Sequence, residues 1–61
     1  MIDTKELTES DKGKEVRYTS YGREIVEYGV ITSWNDQYVF VEYLGERHSK
    51  ATDPRTLEFT S

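Results

Sequence analysis

The stretch from Tyr28 to Thr60, YGVITSWNDQYVFVEYLGERHSKATDPRTLEFT, decides the fold. Its β-branched and aromatic residues stand in short runs, and polar or glycine-containing pairs separate the runs, as is typical of strands joined by tight turns. The Asn-Asp pair at 35–36 predicts one hairpin turn, and the Gly-Glu pair at 45–46 predicts a second. The Asp-Pro pair at 53–54 predicts an N-cap followed by proline at the first helical position.

The rest of the chain extends this pattern to a small all-β domain. The predicted strands are about Glu15–Ser20, Glu24–Trp34, Gln37–Leu44, Arg47–Thr52 and Leu57–Thr60. Gly29 lies inside the second of these, where an isolated glycine predicts a bulge or a sharp bend. A capping sequence at Thr8-Glu9-Ser10-Asp11 predicts one helical turn over Thr8–Lys12, with Gly13 at a left-handed stop.

These elements together predict an all-β fold, a five-stranded SH3-like small barrel. A short N-terminal helical turn precedes the barrel, and a 3-10 turn at about residues 55–57 precedes the last strand. We expect residues 1–6 to form a flexible N-terminus and residues 7–61 to form a single SH3-like barrel domain.

The register of the central hairpin has two alternatives that the sequence leaves open. A strict two-residue turn at 35–36 pairs Val30 with Val41 and places Ile31 and Phe40 together on the other face. A three-residue loop pairs Ile31 with Val41 instead, and a shift of one residue moves every side chain across the sheet. In both registers each face carries large apolar groups, so one face needs cover from this chain, a second copy or a partner.

Charge and composition exclude several function classes. The formal net charge is −4, with 12 acidic residues against 8 basic ones. This balance disfavours a nucleic-acid-binding role, because binding to phosphates usually needs a basic face. The chain has no cysteine and one histidine, His48, so we predict no metal site and no cofactor. Without a nucleophile paired to a base, and without a phosphate-binding loop, we predict no catalytic residue and no enzyme activity.

No segment of the sequence predicts a membrane span or a secretion signal. The apolar runs fall well short of the about 18 residues of a membrane helix. The N-terminus lacks the apolar core of a signal peptide. We therefore expect a cytoplasmic protein with no membrane partner.

Aromatic residues near the loops are the first candidates for a binding site. The eight aromatic residues exceed what a small barrel interior can hold. Tyr21, Trp34 and Tyr38 lie in or beside predicted loops, where such rings either bind bases, cations or peptides or cap the barrel ends. Ile31 and Phe40 are the candidate contacts on the second hairpin face. The candidate anion contacts are Arg17, Arg23, Arg47 and Lys50.

The chain also resembles known groups of proteins. GVITSWNDQYVFVEY followed by SKATDPRTLEF, with LTESDKGKEV upstream, resembles short, largely uncharacterised proteins encoded by bacteriophages and prophages. The resemblance covers about residues 7–59 and implies an accessory phage gene product in the cytoplasm of a bacterial host. At the level of fold the chain is similar to KOW, Tudor and related SH3-like modules, which bind RNA, DNA, methylated side chains or protein segments.

Three functions follow as hypotheses. The first is a non-enzymatic binding module that docks on a host or phage protein through the loop aromatics and the apolar hairpin face. The first alternative is a nucleic-acid-binding module that uses the arginine and lysine residues together with aromatic stacking. The second alternative is an oligomer that binds a small anionic ligand such as a nucleotide, and a homodimer is an open alternative in each case.

Overall fold

The computed structural model describes residues 1–60, and Ser61, the last residue of the predicted domain, lies outside the described residues. The strands are β1 (Glu15–Thr19), β2 (Val26–Trp34), β3 (Val39–Tyr43), β4 (Ser49–Thr52) and β5 (Leu57–Phe59). Three short 3-10 turns accompany them: η1 (Thr4–Glu6), η2 (Glu9–Asp11) and η3 (Pro54–Thr56). The prediction of a small all-β fold with five strands is confirmed.

The five strands form one antiparallel sheet in the order β4-β3-β2-β1-β5. Consecutive strands from β1 to β4 are neighbours, and β5 returns to pair with β1. The strands β4 and β5 are the two edges, and no ladder joins them within residues 1–60. The sheet is therefore open.

The local capping signals appear where the sequence predicts them. The backbone N–H of Thr8 donates to Asp11 Oδ2 at 2.8 Å across η2, and Gly13 follows with φ of +87°. At η3 the carboxylate of Asp53 accepts from the backbone N–H of Arg55 at 2.9 Å. Each signal joins residues at most three apart, which is why the sequence alone suffices to find it.

Away from the turn the central hairpin has the second predicted register, in which Ile31 pairs with Val41, but next to the turn it differs from both. The backbone N–H of Asn35 donates to the carbonyl of Tyr38 at 2.9 Å, so the turn is centred on residues 36–37 and the prediction of a turn at 35–36 is wrong. The side-chain oxygen of Asn35 accepts from the backbone N–H groups of Gln37 and Tyr38 at 2.8 and 2.7 Å. Trp34 pairs with Val39 at this end of the ladder.

Further from the turn the register shifts by one residue. Ser33 pairs with Phe40, and the next pair is Ile31 with Val41, so Thr32 is the extra residue of a β-bulge. The Thr32 hydroxyl donates to the carbonyl of Phe40 at 3.1 Å. The sequence predicts a bulge or a sharp bend at Gly29, and the bulge lies instead at Thr32, three residues further along β2.

The inner face of the sheet carries the hydrophobic core. Leu7, Tyr18 and Trp34 pack against the edge of this core and are partly buried. Its buried apolar members are Ile2, Val16, Ile31, Val39, Val41, Tyr43 and Leu57.

The N-terminal segment covers part of the open inner face. Ile2 is 5% exposed and belongs to the core. Its backbone N–H donates to the carbonyl of Pro54 at 2.9 Å, and the hydroxyl of Thr4 reaches the carbonyl of Asp36 at 3.5 Å. The expectation of a flexible N-terminus over residues 1–6 does not include these contacts. A single apolar residue in a polar segment forms no periodic pattern from which its burial could be predicted.

Replacing Ile2 with alanine is expected to lower the free energy of unfolding by about 2–3 kcal/mol, since it removes a buried branched side chain and leaves a cavity. The matched control is Ile25→Ala, because Ile25 is 52% exposed. We expect that control to change stability by less than about 0.5 kcal/mol. Urea denaturation followed by tryptophan fluorescence measures both. Equal stabilities of the two variants would contradict the buried position of Ile2.

A side chain at position 29 is expected to lower stability for a steric reason. A Cβ atom at this position would lie 2.5 Å from the carbonyl oxygen of Glu42 and 2.7 Å from Val41 Cγ1. Gly29→Ala should therefore destabilise the fold by about 2–3 kcal/mol through overpacking. In Gly22→Ala the new Cβ would meet only Glu24 Cγ, at 3.9 Å, so that variant should keep its stability. Thermal unfolding compares them, and an unchanged melting temperature for Gly29→Ala would refute the close strand approach.

Candidate functional site

A cleft of about 300 Å³ opens where the core ends, between the β1–β2 loop and β4. We call it the tyrosine cleft. Strand alternation directs side chains from β1, β2 and β3 into it, because Tyr18 pairs with Glu27 on the inner face next to Tyr43. Its principal lining residues are Tyr18, Tyr21, Glu27, Tyr43, Lys50 and Asp53.

Two tyrosines form the buried part of this cleft. The ring of Tyr18 meets the ring of Tyr43 edge-on, with centroids 6.1 Å apart and planes at 76°. The hydroxyls of Tyr43 and Thr52 are 2.8 Å apart. Burial raises the pKa of Tyr43 above its ordinary value, so its phenol stays protonated and neutral at physiological pH. This part of the cleft is therefore fixed by packing and by a satisfied hydrogen bond.

The third tyrosine lies at the rim of the cleft. Tyr21 is 73% exposed, yet its hydroxyl donates to Asp53 Oδ2 at 2.5 Å. The guanidinium of Arg55 also donates to that oxygen, at 2.8 Å. Hydrogen bonds from Arg55 and then from Tyr21 hold the pKa of Asp53 well below its usual range, so the carboxylate remains charged. The exposed Tyr21 ring is thus held in one position by an ionised partner.

The bond to Asp53 also acts on Tyr21 itself. Because an anionic acceptor favours the protonated phenol, the hydrogen bond to Asp53 raises the pKa of Tyr21. The link between the β1–β2 loop and the start of η3 therefore persists across the neutral range of pH.

A second cleft, of about 460 Å³, adjoins the first. We call it the arginine cleft, and its principal lining residues are Arg17, Tyr21, Arg23, Arg55, Thr56 and Glu58. Tyr21 and Thr56 line both clefts, so the clefts meet at these two residues. The pairing of β1 with β5 sets Arg17 beside Glu58, and their side chains form an ion pair at 3.1 Å.

The predicted loop aromatics do not all reach these clefts. Tyr21 lines both of them, whereas Trp34 and Tyr38 line neither. Trp34 packs against the core, and the ammonium of Lys12 lies 5.8 Å from its ring centroid. Among residues 1–60 the one aromatic ring pair is the Tyr18–Tyr43 pair named above, so the three loop aromatics do not stack on one another.

The predicted apolar contacts on the hairpin need correction. Ile31 is 1% exposed and lies in the core, so it offers no contact surface. Phe40 is half-buried and lies on the opposite face, because Ile31 pairs with Val41, the residue next to Phe40 in β3. The exposed apolar side chains of the outer face are instead Val26, Tyr28 and Leu44.

The predicted anion contacts divide into two groups. Arg17 and Arg23 converge in the arginine cleft. Lys50 lines the tyrosine cleft and pairs with Glu46 at 3.3 Å, and Arg47 lies exposed in the β3–β4 loop. Arg55, which is not among the candidate anion contacts, also lines the arginine cleft, and its place near Arg17 depends on the return of β5 to β1.

The part of the chain that the structure describes contains no group of three or more side chains placed to hold a metal ion. It also contains no helix with the length and apolar character that crossing a membrane requires. No protein-family model matches the chain, and neither a curated protein nor a solved structure is similar to it. The two clefts are therefore the features from which a function is to be inferred.

Proposed function

We propose that this chain is a non-enzymatic binding module whose tyrosine cleft holds an extended segment of a protein partner. The observation that carries the proposal is the position of Tyr21, a ring that is largely exposed to solvent and yet fixed by its hydrogen bond to Asp53. Large exposed aromatic side chains of this kind commonly supply the anchoring contacts of protein interfaces.

The chemistry of the cleft suits a peptide better than a rigid surface. Beneath Tyr21 the rings of Tyr18 and Tyr43 offer apolar area, and Glu27 and Lys50 offer polar groups at the sides. A cavity of about 300 Å³ accommodates one or two side chains of a segment that lies across it. Because Tyr21 is already held in place, binding does not need the free energy of ordering its side chain. That free energy is about 0.5–1.5 kcal/mol for a mobile side chain.

The finer fold assignment, an SH3-like barrel, belongs to the same proposal. Five short antiparallel strands support it, as do the 3-10 turn before the last strand and the return of β5 to β1. The Tyr21–Asp53 hydrogen bond further joins the β1–β2 loop to the segment between β4 and η3.

The source and the partner are proposed from the resemblance to short phage and prophage proteins. That resemblance supports an accessory phage gene product in the cytoplasm of a bacterial host, with a host or phage protein as the partner. A small chain that presents a preformed cleft and lacks a predicted catalytic group is suited to act as an adaptor or an inhibitor.

Selection of a random-peptide display library against the full chain tests the proposal. Replacing Tyr21 with alanine should weaken binding of the selected peptides by about 30-fold, since an aromatic anchor contributes about 2 kcal/mol. Fluorescence anisotropy with labelled peptides measures the affinities. Tyr21 is exposed, so the variant should remain folded, which circular dichroism checks.

The matched control for this experiment is Tyr38→Ala. Tyr38 is also an exposed tyrosine, at 43%, but it lies at the β2–β3 turn and outside both clefts. We expect this variant to bind the peptides as the unchanged chain does. A library that yields no binding peptide, or peptides that bind Tyr21→Ala with full affinity, would overturn the proposed site.

A further inference from the structure

We infer that the arginine cleft binds one carboxylate of the segment held in the tyrosine cleft, so that the partner segment carries an aspartate or glutamate next to the residue that contacts Tyr21. This inference rests on the proposed function and adds to it the chemistry of the partner. It follows from the charge of the cleft, from its adjacency to the tyrosine cleft and from the backbone of Arg23.

The two clefts lie on opposite faces of the sheet and meet at its end, where Tyr21 and Thr56 line both. On one side the neighbours of Tyr21 are aromatic rings, and on the other side they are three guanidinium groups from Arg17, Arg23 and Arg55. A segment that crosses the Tyr21 ring therefore places consecutive side chains in an aromatic and a cationic environment.

One guanidinium of the arginine cleft has no carboxylate partner. Arg17 is paired with Glu58 at 3.1 Å, and Arg55 is paired with Asp53 at 2.8 Å. Arg23 takes part in no ion pair among the described residues. Its guanidinium is therefore the one that is free to pair with a carboxylate of a partner.

A single unpaired guanidinium disfavours a polyanion. Nucleic-acid backbones bind through several uncompensated cations at once. Here one such cation faces the cleft, and the chain as a whole carries a net charge of −4. A carboxylate on a protein segment is therefore the better match, since the planar guanidinium fork of arginine binds carboxylates through paired hydrogen bonds.

The backbone of Arg23 supports a role for its side chain. Its φ of +59° makes it the one non-glycine residue with a positive φ among residues 1–60. The backbone N–H of Arg23 donates to the carbonyl of Ser20 at 2.8 Å, which fixes this turn. Glycine would adopt the conformation at lower cost, so an arginine held there is best explained by what its side chain binds.

The first test follows the backbone amide and arginine side-chain resonances of the full chain in proton–nitrogen correlation spectra during titration with N-acetylglutamate amide. We expect saturable shifts at Arg17, Arg23 and Arg55, with a dissociation constant in the millimolar range. N-acetylglutamine amide has the same shape without the charge and should cause no saturable shift at these residues. Saturation by both compounds, or by neither, would overturn the inference.

Two variants that remove the same charge sharpen the test. Arg23→Gly should weaken binding of N-acetylglutamate amide by about tenfold or more, because a charge-assisted hydrogen bond is lost. Its melting temperature should not fall, since glycine is relaxed at a positive φ. Arg47→Ala removes an exposed arginine outside both clefts and should leave the binding unchanged. Equal weakening in the two variants would mean only a general charge effect and would overturn the site.

Phosphate compounds test the alternative ligand class. Inorganic phosphate and a single-stranded oligothymidylate are titrated under the same conditions. Weaker binding of both than of N-acetylglutamate amide supports the inference. If the oligonucleotide binds more tightly at these arginines, with an affinity that falls steeply as salt rises, the cleft is a nucleic-acid contact and the inference fails.

The peptides selected for the tyrosine cleft separate the two proposals. Peptides that need Tyr21 but lack an acidic residue, and that bind Arg23→Gly with full affinity, would refute the carboxylate site and leave the peptide-binding proposal standing. Saturation of the arginine cleft by N-acetylglutamate amide, without any peptide that depends on Tyr21, would refute peptide binding while the anion site remains. Acidic peptides that lose affinity in both Tyr21→Ala and Arg23→Gly support the two together.

Discussion

The extra residue at Thr32 in β2 is the constraint on which the rest of this sheet depends. In a strictly alternating strand Ile31 and Trp34 would face opposite sides of the sheet, because they are three residues apart. The bulge shifts the register between them, so that both reach the inner face and pack with the core. The Thr32 hydroxyl replaces part of the interrupted ladder, since it donates to the carbonyl of Phe40 at 3.1 Å and lies 2.7 Å from the Ser49 hydroxyl. A local irregularity thus supplies the core with one more large side chain.

The proposed binding surface begins where this core ends. Near the bulge the inner face is filled by aliphatic side chains, whereas at the other end of β2 it carries Tyr18, Glu27 and Tyr43. The sheet is open at β4 and β5, so this end is enclosed by the β1–β2 loop and by η3. The hydrogen bond from Tyr21 to Asp53 joins these two segments. One contact therefore helps to close the fold and at the same time positions the exposed ring between the two clefts.

The sequence predicts well those features that depend on neighbouring residues. The Asp53-Pro54 cap and the left-handed Gly13 are set by bonds and torsions within a few residues, and both are present. The register of the β2–β3 hairpin cannot be predicted from neighbouring residues, because the bulge at Thr32 is stabilised by groups on two other strands. Ile31 is wrongly predicted to lie on a contact surface because the register of this hairpin is not known from the sequence. For the site, residue type alone singles out Tyr21, Arg17 and Arg23, but Arg55 joins them only once β5 is known to pair with β1.

The most direct test of this account is a measurement of the cross-strand nuclear Overhauser effects along the β2–β3 hairpin. The bulged register predicts contacts between the backbones of Trp34 and Val39 and between those of Ile31 and Val41. Contacts of Trp34 with Gln37 and of Val30 with Val41 would instead define an unbroken ladder with a tight turn at residues 35–36. That result would place Ile31 and Trp34 on different faces and would contradict both the core and the location of the clefts described above.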